Sequence, residues 1–148
     1  MMPRPRPTLV HTIDFEDVMF VLRRLTGVDP SLTHAVRINS EVSKVQRRIE
    51  DIYKDGTYVS VYVQAAMLLR HLTHYCLTNK SDIRIAWLLA AVLLEVNGFS
   101  VSHASSDQIY EIVRKISTAD PSAHQIADVL RTIAERLYSA PADDFMVS

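Results

Sequence analysis

Apolar residues recur at helical spacing along most of this chain. After Asp14, residues Phe15, Val18, Met19, Leu22 and Leu25 fall three or four positions apart, the interval that lines one face of a helix. Asp14 offers an N-cap carboxylate and Gly27 a left-handed stop, so a helix is predicted between them. Asp29-Pro30 then reads as turn chemistry. Val42, Val45, Ile49 and Ile52 predict a second helix over about Ser40 to Tyr53, with Lys44, Arg47, Arg48 and Glu50 turned to water. Asp55-Gly56 is a turn signal. Alternation and β-branching from Thr57 to Val63 favour a strand when read alone. That segment runs directly into the helical sequence Gln64 to Leu72, so a helix is predicted from about Val59 to Tyr75.

Downstream, Ser81 or Asp82 is placed to cap a helix running through Ile83, Ile85, Ala86 and Trp87 to Val96. A helix apolar on every side is expected at the middle of a bundle, and Asn97-Gly98 closes it. Two capping boxes follow, each a serine with a glutamine three residues on. Ser105-Ser106-Asp107-Gln108 leads into Ile109, Ile112, Val113 and Ile116; Ser122-Ala123-His124-Gln125 leads into Ile126, Val129, Leu130, Ile133 and Leu137. The expectation is an all-α fold of about six helices around a central buried helix. One domain spans residues 12–138, between a Pro/Arg arm (1–11) and a tail (139–148) in which Phe145-Met146-Val147 is a docking candidate.

Composition narrows the function classes. The chain has 148 residues, 48% hydrophobic and 22% charged, enough for one cored domain. A net charge of −1 gives no electrostatic footprint for nucleic acid or an anionic membrane. The longest apolar run, Ile85 to Leu94, is about half the length a bilayer span needs. Cys76 is the lone cysteine, which rules out an internal disulfide and fits a reducing compartment. The basic start Met1 to Pro7 has no long apolar stretch behind it and reads as an extended arm, solvated or partner-binding, rather than a secretory signal. A cytoplasmic location is expected.

The order of these segments resembles the Fic/Doc family, in its short Doc-type (death-on-curing) branch. The resemblance is carried by Ile13 to Val18, Ala65 to Leu69, Arg84-Ile85-Ala86-Trp87 with Leu93 to Gly98, and Ile126 to Arg131; it covers about Thr12 to Leu137. Members of that family carry His-x-Phe-x-Asp-Gly-Asn-Lys-Arg in the loop opening the central helix. In the family the histidine is the general base, the glycine and asparagine line an anion hole at the helix N-terminus, the aspartate helps hold a metal and the arginine grips phosphate. Most members transfer adenylyl groups from ATP; the Doc branch phosphorylates translation elongation factor Tu and is restrained by an antitoxin.

Counting back from Asn97-Gly98 sets this signature on Cys76-Leu77-Thr78-Asn79-Lys80-Ser81-Asp82-Ile83-Arg84, where only Arg84 matches. Cys76 replaces the base, and a thiol serves as a base only as thiolate. Lys80 replaces the aspartate a divalent cation needs. Ser81, Asp82 and Ile83 replace glycine, asparagine and lysine, and a carboxylate at Asp82 stabilises the helix end while repelling nucleotide phosphates. Shifting the register to pair His74 with Asn79-Lys80 gives the wrong histidine–asparagine spacing and an overlong central helix.

These residues carry two readings each. Cys76 is either a nucleophile activated by His74, Lys80 or a helix dipole, or a small thiol packed in the core. Arg84 is either a surviving phosphate grip or a partner for Asp82 or a buried carbonyl. Lys80 and the arginines Arg23, Arg24, Arg47 and Arg48 read as solvated, and Trp87 as core. His71 and His74 lack the spacing of a metal pair, and no carboxylate cluster joins them. Tyr53 and Tyr58 flank Asp55-Gly56, the position at which Fic/Doc proteins carry a target-aligning flap, and so are candidate partner contacts or packing residues. The resulting expectation is a degenerate Doc-like protein that binds a protein partner, needing no cofactor and no metal. The alternative is a divergent kinase or adenylyltransferase that uses ATP and Mg with Arg84 and His74 or Cys76.

Overall fold

The computed structural model describes residues 11–137; most of the Pro/Arg arm and the 139–148 tail with Phe145-Met146-Val147 lie outside them. Among the described residues six helices form: α1 (Phe15–Thr26), α2 (Leu32–Lys54), α3 (Val61–Asn79), α4 (Arg84–Val96), α5 (Ser106–Ala119) and α6 (Ala123–Ile133). The fold is all-α. Two-residue strands, β1 (Phe99–Ser100) and β2 (Glu135–Arg136), pair antiparallel and tie the end of α6 to the end of α4. No helix among the described residues is long and apolar enough to cross a membrane.

Local chemistry explains most boundaries. Asp14 accepts from the Asp17 amide while the Asp17 carboxylate accepts from the Asp14 amide, a reciprocal cap at the start of α1. The two serine–glutamine boxes cap α5 and α6 in the same way. Gly27 ends α1 at φ 75°, a conformation that costs a side-chain-bearing residue energy.

Four boundaries differ from the sequence reading. Helix α2 begins at Leu32, about two turns before Ser40, because the Ser31 hydroxyl caps it at the His34 amide. Its first turns bury Ala35 and Ile38 but leave Leu32 and Val36 exposed, which blurs the stripe. Helix α3 begins at Val61, with the Ser60 hydroxyl accepting from the Val63 amide, and residues 57–60 lead into it without joining a strand. It continues past Tyr75 to Asn79, so Cys76 stands on a helix rather than in a loop. Finally, α6 stops at Ile133, and Leu137 lies beyond β2 with its side chain exposed.

The position of the core is a further correction. Helix α4 is the most apolar segment, yet α3 is the hub: it packs against α2, α4, α5 and α6, whereas α4 packs chiefly on α3 and α1. Eleven α3 residues are buried, including Gln64 and Thr73. Leu69 and Leu72 of α3 are fully buried, as are Ile38, Ile85, Leu89, Leu94, Ile116 and Leu130 around it. Trp87 is buried as expected.

Candidate functional site

The connector between α3 and α4 holds the positions that the family resemblance singles out. Cys76 sits in the last turns of α3 with 1% of its surface exposed. Burial, and then the negative charge of Asp82, push its thiol up to about 11. Lys80 ends the helix in the left-handed region at φ 54° and its side chain is exposed. The amides of Lys80 and Ser81 both donate to the Cys76 carbonyl, which closes the last turn.

Asp82 and Arg84 form a forked pair. Asp82 Oδ1 accepts from Arg84 Nε at 3.0 Å, and Oδ2 accepts from Arg84 Nη2 at 2.6 Å. The same carboxylate accepts from the Arg84 backbone amide at 3.0 Å. Neither Ser81 nor Asp82 is the N-cap; Ile83 takes that place with no side-chain hydrogen bond, and Asp82 reaches around it. The guanidinium holds the Asp82 carboxyl below the usual carboxylate range. The amino end of α4 and its lone arginine are thus both engaged by a carboxylate of the chain itself. Beside it an apolar groove of about 370 Å³ runs between α4 and α5, lined by Ile83, Trp87, Ile109 and Tyr110.

A second constellation lies on another face of α3. Tyr53, at the end of α2, donates its hydroxyl to the Val59 carbonyl at 3.0 Å, and Gln64 donates to both that carbonyl and the Tyr53 oxygen. The Tyr53 and Tyr58 rings meet edge to face, 6.1 Å between centroids. These contacts pin residues 57–60 along one wall of a cleft of about 490 Å³. Arg48 and Ile52 of α2, Val63, Met67, Arg70, His71 and His74 of α3, and Ala123, His124 and Arg131 of α6 line the rest, together with Thr57, Tyr58, Val59 and Ser60. Of the predicted partner contacts, Tyr58 lines this cleft, Tyr53 is committed to internal hydrogen bonds, and Asp55 and Gly56 are exposed in the turn.

Carboxylates from distant elements steady the cleft's basic side chains. His71 Nε2 meets Glu41 Oε1 at 3.0 Å, and His74 Nε2 meets Asp120 Oδ1 at 3.1 Å. A carboxylate only accepts, so each Nε2 carries the hydrogen of its contact. Asp120 also pairs with Arg70 at 2.8 Å, and Arg70 Nε donates to the Pro121 carbonyl. The His74 hydrogen bond and the Arg70 charge hold Asp120 below its ordinary range. Burial pushes the Glu41 carboxyl up, but hydrogen bonds from Lys44 and His71 outweigh it and lower it. Arg131 pairs with Asp128 at 2.8 Å and stacks over the Tyr62 ring.

Glu41 stands 30 positions from His71, and Asp120 stands 46 from His74, so no local spacing announces either pair. The described residues contain no group of three or more His, Cys, Asp or Glu arranged to hold a metal. Helix α3 divides the predicted residues between two places: Cys76 to Arg84 at its carboxyl end, and Tyr58 with His74 along the cleft. No family model, curated protein or solved structure matches this chain.

Proposed function

We propose that this chain is a catalytically degenerate Doc-like protein on a Fic-type scaffold, of bacterial or phage origin. On this reading it works in the cytoplasm by holding a protein partner, in a toxin–antitoxin or phage–host setting, and transfers no group. The observation that carries the reading is the Asp82–Arg84 pair, closed at 2.6 Å across the amino end of α4. A triphosphate docking there would have to displace a carboxylate from a forked guanidinium and bear its repulsion. The buried Cys76 thiol supports the same conclusion, since a group held neutral and out of solvent takes no proton from a target hydroxyl. Tyr58 and the exposed turn Asp55-Gly56 are the surface assigned to the partner. Calorimetry with ATP and magnesium is expected to give no binding heat, and binding comparable to that of an active Fic protein would overturn the reading. Affinity capture from bacterial lysate is expected to lose its specific band with Tyr58→Ala.

One observation favours an enzyme instead: His74 is oriented by Asp120 beside Arg70, a carboxylate–imidazole arrangement suited to a general base. That reading expects labelled phosphoryl or adenylyl transfer from ATP to a lysate protein, abolished by His74→Ala. Absence of transfer with ATP and magnesium would refute it.

A further inference from the structure

The cleft between α2, α3 and α6 has a chemical bias that the α4 connector lacks. Three arginines and three histidines line it, and none of its lining residues is acidic. The partner carboxylates Glu41, Asp120 and Asp128 are not among the lining residues. They fix His71, His74, Arg70 and Arg131 in place. Arg48 and His124 are different, for both are exposed and neither side chain makes a hydrogen bond or ion pair with the described residues.

Position along the helices adds direction. Arg70, His71 and His74 fall within about one turn of α3, and Asp120, which pairs with Arg70 and His74, stands just before α6. Ala123 and His124, the first two residues of α6, line that end of the cleft. The Ser122 hydroxyl takes the Gln125 amide, so the amides of Ala123 and His124 remain without a partner among the described residues. Free amides at a helix start attract anions; here they coincide with an independent cluster of cationic and imidazole groups. The other end offers Tyr58, Thr57 and the Ser60 hydroxyl, groups that suit a polar, hydroxylated skeleton. The volume, about 490 Å³, is that of a small-molecule site.

We propose that this cleft binds a small-molecule phosphate monoester, with the phosphate held by the unpartnered side chains Arg48 and His124 and the α6 amino end, Arg70 and His74 staying paired with Asp120, and the organic part extending toward Tyr58. The site is separate from the α4 connector and does not rest on the Doc-like reading. A phosphate engages planar guanidinium forks and convergent N–H donors with three oxygens, which matches this donor set better than a single carboxylate would.

The test is calorimetric titration of the full chain with ribose 5-phosphate, inorganic phosphate and ribose. The first two are expected to bind and ribose is not. The double variant Arg48→Ala/His124→Ala removes two side chains with no internal partner, so its helical circular dichroism should match the wild type. Its affinity for ribose 5-phosphate is expected to fall by about tenfold or more. Arg37→Ala, an exposed arginine of α2 that does not line the cleft, should leave it unchanged. Wild-type binding no tighter than about 1 mM, equal loss in Arg37→Ala, or full affinity in the double variant would each overturn the proposal.

Discussion

Cys76 stands where the family resemblance expects a base, so the state of its thiol tests the reasoning directly. The structure buries it to 1% exposure, and burial together with Asp82 raises it from an ordinary 9.0 to about 11. Two units mean about a hundredfold less thiolate at neutral pH, and the thiolate is the reactive species. Restricted access slows reaction further, because a reagent must wait for the end of α3 to open. Alkylation by iodoacetamide, followed by mass spectrometry, is therefore expected to run at least about a hundredfold slower in the native protein than in urea. Equal rates would refute both the burial and the raised thiol. The same shift has a stability consequence. The folded state favours the neutral thiol, so its contribution is complete below pH 9.0 and is lost as pH rises through about 11. The full loss amounts to about 3 kcal/mol. Urea melts across that window should fall more steeply for the wild type than for Cys76→Ala; parallel slopes would contradict the argument.

Leu72→Ala, at a fully buried position of α3, should cost about 2–5 kcal/mol in urea unfolding by opening a cavity at the hub; a cost under about 1 kcal/mol would mean that α3 is not central. Tyr53→Phe removes the hydroxyl that donates to Val59 and accepts from Gln64. It should cost about 1–3 kcal/mol and raise hydrogen exchange around residues 57–60, and unchanged exchange there would show that Tyr53 does not pin the segment. Asp82→Ala removes the acceptor of the Arg84 amide and should cost about 0.5–2 kcal/mol as a lost cap, read from the thermal midpoint. Asp82, Glu41 and Asp120 all lie below their ordinary range. Their contribution is present above that range and lost as pH falls through the lowered values, so stability should drop below about pH 4. Glu41→Gln should flatten that acid limb.

Much of the fold could be read directly from residues. Capping chemistry is local: Asp14 with Asp17, Ser105 with Gln108 and Ser122 with Gln125 each act within three positions, and the three starts were legible. The start of α2 was obscured because Leu32 and Val36 face outward and break the apolar period. The candidate site was legible only in part. The Asp82–Arg84 pair spans two positions and was one of two open readings, whereas the carboxylates that orient His71 and His74 come from other elements.

The sequence by itself determined the helical class and the caps of α1, α5 and α6, since these depend on groups a few bonds apart. Tertiary structure alone decided that α3 rather than the more apolar α4 is the hub. Apolar composition measures how much surface a helix must bury, not how many neighbours will cover it. It also decided that Arg48, Arg70, His71, His74, His124 and Arg131 share one cleft, because the packing of α2 and α6 on α3 sets which distant charges meet.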